Sequence, residues 1–195
     1  MKIERIFKKN KGFARMKEMR ESGIQTRDIA FAVKQGIVEK IKPGLYKLLS
    51  YDFDENEGLA AVCNSDKKAV ICLLSAAAFY ELTTYIPSEI YTALPMNTPR
   101  FNITYPPCKV FFFKGIKYEF GIEEVETGSG KIRIYSKEKT IVDLFRYKNK
   151  LGEDMALESL KTYMRRKENK TATLADAAQK LGMYKKMEAY IKGSM

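Results

Sequence analysis

Residues 23–48 read GIQTRDIAFAVKQGIVEKIKPGLYKL, and their pattern decides the fold. Gly23 can take the left-handed conformation that closes a preceding helix, and Thr26 can cap the next one. Ile29, Ala32 and Val33 recur at helical spacing and predict one apolar stripe. The opposite face carries Arg27, Asp28, Phe31, Lys34 and Gln35, with Gln25 and Thr26 at the helix start. A helix laid in a DNA groove places its base-reading side chains there. Gly36 stops the helix, Ile37, Val38 and Ile41 form a β-run, Lys42-Pro43-Gly44 a turn, and Leu45–Leu48 the returning strand. The predicted motif is a winged helix-turn-helix. Gln25, Thr26, Arg27, Phe31 and Lys34 are its candidate base readers.

Composition frames that reading. The chain has 195 residues, 45% hydrophobic and 30% charged, which suits one or two globular cores. Its net charge of +11 is uneven: residues 1–50 hold 13 Lys/Arg against 5 Asp/Glu, net +8, and the remainder only +3. Basic charge gathered on one module is what phosphate neutralisation and counterion release exploit. There is no histidine, which removes the commonest general base, Ser-His and Cys-His nucleophiles and most zinc chemistry. Cys63, Cys72 and Cys108 are odd in number and lack CxxC spacing, so buried free thiols are expected rather than a disulfide framework or a metal site. The longest apolar run, residues 69–80, is too short to span a membrane, and Lys2, Glu4 and Arg5 replace the apolar core of a signal peptide. A cytoplasmic protein with no membrane partner and no cofactor is expected.

In chain order, residues 2–8 predict a first helix with Ile3, Ile6 and Phe7 on one face. Residues 13–22 predict a second, which buries Phe13, Met16 and Met19 and turns Arg15, Lys17 and Arg20 toward a phosphate backbone. Lys40, Lys42 and Lys47 of the wing complete the phosphate-contacting set. Residues 51–58 are abruptly acidic and read as a linker, or as the start of a helix to about Asn64. Asp52, Asp54 and Asn56 echo a calcium loop, but Glu57 stands where glycine is needed and Cys63 where the bidentate Glu belongs. Residues 69–72 read as a strand, 74–82 as a helix, and 90–94, 109–113, 117–120, 123–127 and 131–135 as strands, with Gly128-Ser129-Gly130 as a hairpin turn. Gly130-Lys131 superficially echoes a phosphate loop, yet Val125 and Ile132 break that motif.

Ser136 caps the next helix, whose apolar stripe of Ile141, Val142, Leu144 and Phe145 has Asp143 at its edge as a buried structural acid. Helices follow after Gly152, ending in the charge run Arg165-Arg166-Lys167-Glu168, and from Thr173 to Leu181. The last one is lined by Met183, Met187, Tyr190 and Ile191. The expected fold class is α+β: a winged helix-turn-helix over 1–50, then a mixed α/β domain over 51–195 ending in helices.

With these motifs in order, the chain resembles the AbiEi family of antitoxins and transcriptional repressors of type IV toxin–antitoxin and abortive-infection systems. The resemblance rests on Ile29, Val33, Gly36 and Gly44-Leu45-Tyr46 in the first module. In the second it rests on Leu74-Ser75-Ala76-Ala77, Leu82-Thr83, Pro87 and Thr140-Ile-Val-Asp-Leu144. It implies a non-enzymatic, bifunctional phage-defence protein. The winged helix would repress its own operon at inverted repeats in double-stranded promoter DNA. The second domain would counter a co-encoded nucleotidyltransferase toxin, either directly or functionally. The competing expectation is a winged helix fused to a metal-dependent nuclease domain, for which Asp143 is the residue to test. A third expectation is a winged helix serving only protein interaction.

Overall fold

A computed structural model describes residues 2–99 and 101–193. Its architecture is mixed α+β, with one three-stranded and one five-stranded sheet. The N-terminal section runs α1 (Lys2–Lys9), β1 (Phe13–Arg15), α2 (Met16–Glu21), α3 (Thr26–Lys34), β2 (Val38–Lys42) and β3 (Leu45–Leu48). The strands lie in the order β1-β3-β2, all antiparallel, with Phe13 opposite Lys47 and Val38 opposite Leu48. Phe7, Met19, Ile24, Ile29, Ala32, Val38 and Leu48 close one core under the three helices. Gly23 ends α2 at φ +75° and Gly36 ends α3 at φ +65°, both left-handed as the sequence predicts.

Local expectations change in three places here. Phe13–Arg15 is a strand rather than the first turn of a helix, because pairing with Leu45–Lys47 completes the small sheet and buries Phe13 against the Phe53 ring at 5.1 Å. Gln25, not Thr26, caps α3, its backbone N–H donating to Asp28 Oδ2 at 3.3 Å. Val33 is 37% exposed, so the buried stripe of α3 narrows to Ile29 and Ala32 while Ile24 supplies the remaining contact.

Beyond residue 50 come α4 (Glu57–Ser65), β4 (Val70–Ile71), α5 (Leu73–Phe79), β5 (Ile90–Pro95), β6 (Cys108–Phe113), α6 (Ile116–Glu119), β7 (Ile122–Thr127) and β8 (Gly130–Tyr135). The helical section is α7 (Lys137–Arg146), α8 (Lys148–Leu151), α9 (Glu153–Arg165), α10 (Thr171–Lys180) and α11 (Tyr184–Gly193). The sheet order is β6-β5-β4-β8-β7, with β5–β6 and β4–β8 parallel and the other pairs antiparallel. Side chains alternate across it. Val70, Ala93 and Tyr135 face a large core made with α5, α7 and the C-terminal helices, whereas Ile71, Leu94 and Ile134 face α4.

That second core also contains Phe13, Ile41 and Leu45 of the N-terminal sheet. The division near residue 50 therefore separates two sheets, each with a core of its own, while the core around α4 is shared across it. The acidic segment 51–58 is pinned rather than slack: Asp54 accepts the Gly128 N–H at 2.9 Å and the Ser129 hydroxyl, and its own N–H donates to Ser129 Oγ at 3.0 Å. Of residues 117–120, expected as a strand, the first three belong to the single helical turn α6, which leaves Gly115 at φ +52°, and Phe120 follows it. Ser136 caps α7 as predicted, its hydroxyl accepting the Lys139 N–H. Helix α10 starts two residues before the predicted cap, with Lys170 in that position.

Candidate nucleic-acid interface

The candidate surface is built by α2, α3 and the β2–β3 turn. Burial of Ile29 and Ala32 forces the rest of α3 outward, and Gln25, Thr26, Arg27, Phe31 and Lys34 are all exposed together. Phe31 is 59% exposed, an unusual place for an aromatic ring on a charged helix. Its acidic neighbour is largely occupied: Asp28 accepts the Gln25 N–H and lies 3.6 Å from Arg27 Nε, a contact weakened by solvent. The turn is fixed against the start of α2 because the Met16 N–H donates to the Gly44 carbonyl at 2.8 Å. Between α2 and the turn lies a concavity of about 740 Å3 lined by Arg15, Met16, Lys17, Arg20, Glu21, Pro43 and Gly44.

The six expected phosphate contacts divide evenly. Lys17, Arg20 and Lys40 are exposed; among the described residues only Lys17 forms an ion pair, with Glu21 at 3.8 Å and both side chains open to water. The other three have internal partners in this structure. Lys47 is 9% exposed, its ammonium 2.6 Å from Glu57 and 3.1 Å from Glu39. Burial alone would lower its pKa, but the hydrogen bonds and charges of Glu57 and Glu39 outweigh burial and raise it. It stays charged and already neutralised, so no phosphate is needed there. Arg15 Nη2 donates to the Asn64 carbonyl at 2.6 Å and Lys42 Nζ to the Ser65 carbonyl at 2.5 Å. Both therefore cap the C-terminal end of α4, where carbonyls lack helical partners and the helix dipole favours cations. Arg15 still borders the concavity through its side chain.

Alternation along β3 carried a signal for Lys47, since a period of two puts it on the same face as Leu45, toward α4. The counterions Glu39 and Glu57 and the carbonyls of Asn64 and Ser65 had no local signature. The same use of cations recurs elsewhere: Arg166, in the charge run after α9, donates to the carbonyls of Tyr80 and Glu81 at 2.8 and 2.7 Å at the end of α5. Arg146 Nη2 caps α10 at the Leu181 carbonyl, 2.7 Å away. Part of the chain's positive charge thus closes helix ends, while the α3 face and Lys17, Arg20 and Lys40 keep theirs toward solvent.

Other chemistry-bearing groups are shielded. Asp143 is 1% exposed, paired with Lys139 and 3.5 Å from Arg146 Nε. Burial raises the Asp143 pKa and lowers that of Lys139, each partly restored by the opposite charge. The three cysteines are free; burial pushes the Cys63 thiol up to about 11, Cys108 up to about 12 and Cys72 well above its ordinary value. They are protonated thiols with no nucleophilic activation. Among the described residues no group of three or more metal-ligating side chains converges, and no helix is long and apolar enough to cross a membrane. No protein-family model matches the chain, and no curated protein matches it significantly.

Proposed function

We propose that this chain is a sequence-specific DNA-binding repressor and the antitoxin of a type IV toxin–antitoxin pair. In this reading residues 1–50 are a winged helix-turn-helix, with α2 and α3 as the helix pair and the β2–β3 turn as the wing. The observation that carries the reading is the solvent-facing side of α3, where Arg27, Phe31 and Lys34 are all exposed, in a module whose α2 also presents Lys17 and Arg20 to solvent beside the turn. Arg27 or Lys34 reads guanine O6 and N7, Phe31 contacts a thymine methyl, and Gln25 and Thr26 pair with base edges near the helix start. Lys17, Arg20 and Lys40 set the register on phosphates. Repression follows from occupancy of inverted repeats in the promoter of its own operon.

The antitoxin half rests on the family resemblance carried by the second domain, and countering a co-encoded nucleotidyltransferase is its proposed task. The nuclease alternative gains no support from Asp143, whose carboxylate serves an internal ion pair. The test is a fluorescence-anisotropy titration of DNA from upstream of the gene, at physiological salt, against a scrambled duplex. Wild-type chain should prefer the upstream DNA, and Arg27→Ala with Lys34→Ala should abolish that preference. In cells the same double variant should lose repression while still relieving toxicity. Equal binding of both duplexes by wild type and variant would remove the proposal.

A further inference from the structure

The five-stranded sheet ends in two unlike edges. Strand β7 carries Glu123, Glu124 and Glu126, all exposed, two of them bridged by Lys131 of β8. Charge of this kind guards an edge against pairing. Strand β6 reads Cys-Lys-Val-Phe-Phe-Phe, and residues 101–118 contain Lys109, Lys114 and Lys117 but no acid.

The ladder sets the direction of the β6 backbone. The Ile90 N–H donates to the Pro107 carbonyl at 2.8 Å and the Met96 N–H to the Phe113 carbonyl at 2.7 Å, at the two ends of the parallel pairing with β5. Alternation in a parallel ladder then turns the odd-numbered residues of β6 toward β5 and the N–H and C=O groups of Cys108, Val110 and Phe112 away from the sheet. Among the described residues nothing hydrogen-bonds to those outward backbone groups. The Phe112 side chain is 44% exposed beside them.

At the C-terminal end of β6 lies a cleft of about 140 Å3 between Phe112, Lys114, Lys117 and Arg146, with Asp143 in its wall. Asp143 is already balanced by Lys139 and Arg146. Lys114 and Lys117 are exposed and form no ion pair among the described residues. The cleft is therefore cationic, while the strand leading to it is apolar with an unused row of backbone donors and acceptors.

We propose that this edge and cleft form a docking site for an extended, acidic segment of a partner protein. The segment adds a strand beside β6, pairing its backbone with Cys108, Val110 and Phe112. Its apolar residues cover Val110 and Phe112, and one carboxylate enters the cleft between Lys114, Lys117 and Arg146. Main-chain pairing supplies affinity and the charge complement selects the segment, as in strand-addition recognition generally. Nothing in this assignment rests on the DNA-binding reading, which concerns the opposite module.

The experiment uses the full chain and two fluorescein-labelled peptides, one alternating valine and glutamate, the other valine and lysine. The glutamate peptide should bind saturably by anisotropy and the lysine peptide should not. Val110→Pro removes an outward N–H that the sheet does not use, so the fold survives, and it leaves the net charge of +11 intact. It should weaken the glutamate peptide roughly tenfold, as should Lys114→Glu with Lys117→Glu on the surface. Equal binding of both peptides, or glutamate-peptide affinity unchanged by Val110→Pro, overturns the proposal. Self-association of the wild-type chain in sedimentation equilibrium that Val110→Pro abolishes also overturns it, because a second copy would then occupy the edge.

Discussion

Asp143→Ala removes the carboxylate that faces a lysine with no route to water. Lys139 is fully buried, its ammonium 4.9 Å from the Phe113 ring centre and 4.6 Å from that of Tyr135. Those ring contacts contribute about 1–2 kcal/mol each when desolvated and do not replace a full counter-charge. Breaking a buried pair from one side costs about 3–5 kcal/mol, and the lower end is expected because burial already favours deprotonation of Lys139. With a urea dependence of about 2–3 kcal/mol per molar, the unfolding midpoint should fall by roughly 1–2 M. Far-UV circular dichroism is the suitable probe, since the chain has no tryptophan. The double replacement Lys139→Met with Asp143→Leu removes both charges and should lie within about 1 kcal/mol of wild type, because apolar isosteres often match a buried ion pair. A midpoint shift for Asp143→Ala below roughly 0.3 M, or a double variant no better than the sum of the singles, would refute the reasoning. The same residue decides the enzymatic alternative: DNA cleavage in added divalent metal that vanishes in Asp143→Asn would return it to a catalytic role.

Other consequences follow from individual contacts. Lys40→Ala should weaken DNA binding similarly across sequences and reduce the salt slope by about one, whereas Lys47→Met should leave that slope unchanged and instead cost about 1–2 kcal/mol of stability. Asp54 behaves as an acid-sensitive latch: burial alone would raise its pKa, but hydrogen bonds from Ser129, Asn56 and the Gly128 N–H hold it below 3.8. Its ionised form therefore adds stability above pH 3.8 that is lost as pH falls through the folded value. The thermal-melting advantage of wild type over Asp54→Ala should accordingly shrink in that acid range. Arg166→Ala strips two carbonyls at the end of α5 of their donor, and urea unfolding should show a loss of about 1–2 kcal/mol with no change in DNA affinity.

The helix and strand pair at residues 23–48 was legible because the strongest local signals agreed, a glycine at each end of α3, Ile29 and Ala32 at helical spacing and a Pro-Gly turn between short β-runs, even though the cap and Val33 were misread. Phe13–Arg15 was not, because three residues gain a strand identity only from the partner that Leu45–Lys47 provides. Residues 117–120 have the aromatic content of a strand, yet a left-handed Gly115 bends the chain and leaves room for only one helical turn. The outward positions of Gln25, Thr26, Arg27, Phe31 and Lys34 were read from periodicity alone, and all five residues are exposed. Three residues of the expected phosphate set have internal partners that the sequence did not show. Arg15, Lys42 and Lys47 look like any basic residues until Asn64, Ser65, Glu39 and Glu57 are brought beside them, and those partners are fixed by tertiary packing.

In the proposed function the α3 face reads DNA. Its most direct measurement is a competition titration of the full chain on upstream DNA, comparing wild type with Arg27→Ala. Specific affinity should fall by about 1–3 kcal/mol, roughly 5- to 150-fold, while affinity for scrambled DNA changes far less. An unchanged preference for the upstream sequence in Arg27→Ala, Phe31→Ala and Lys34→Ala alike would contradict it.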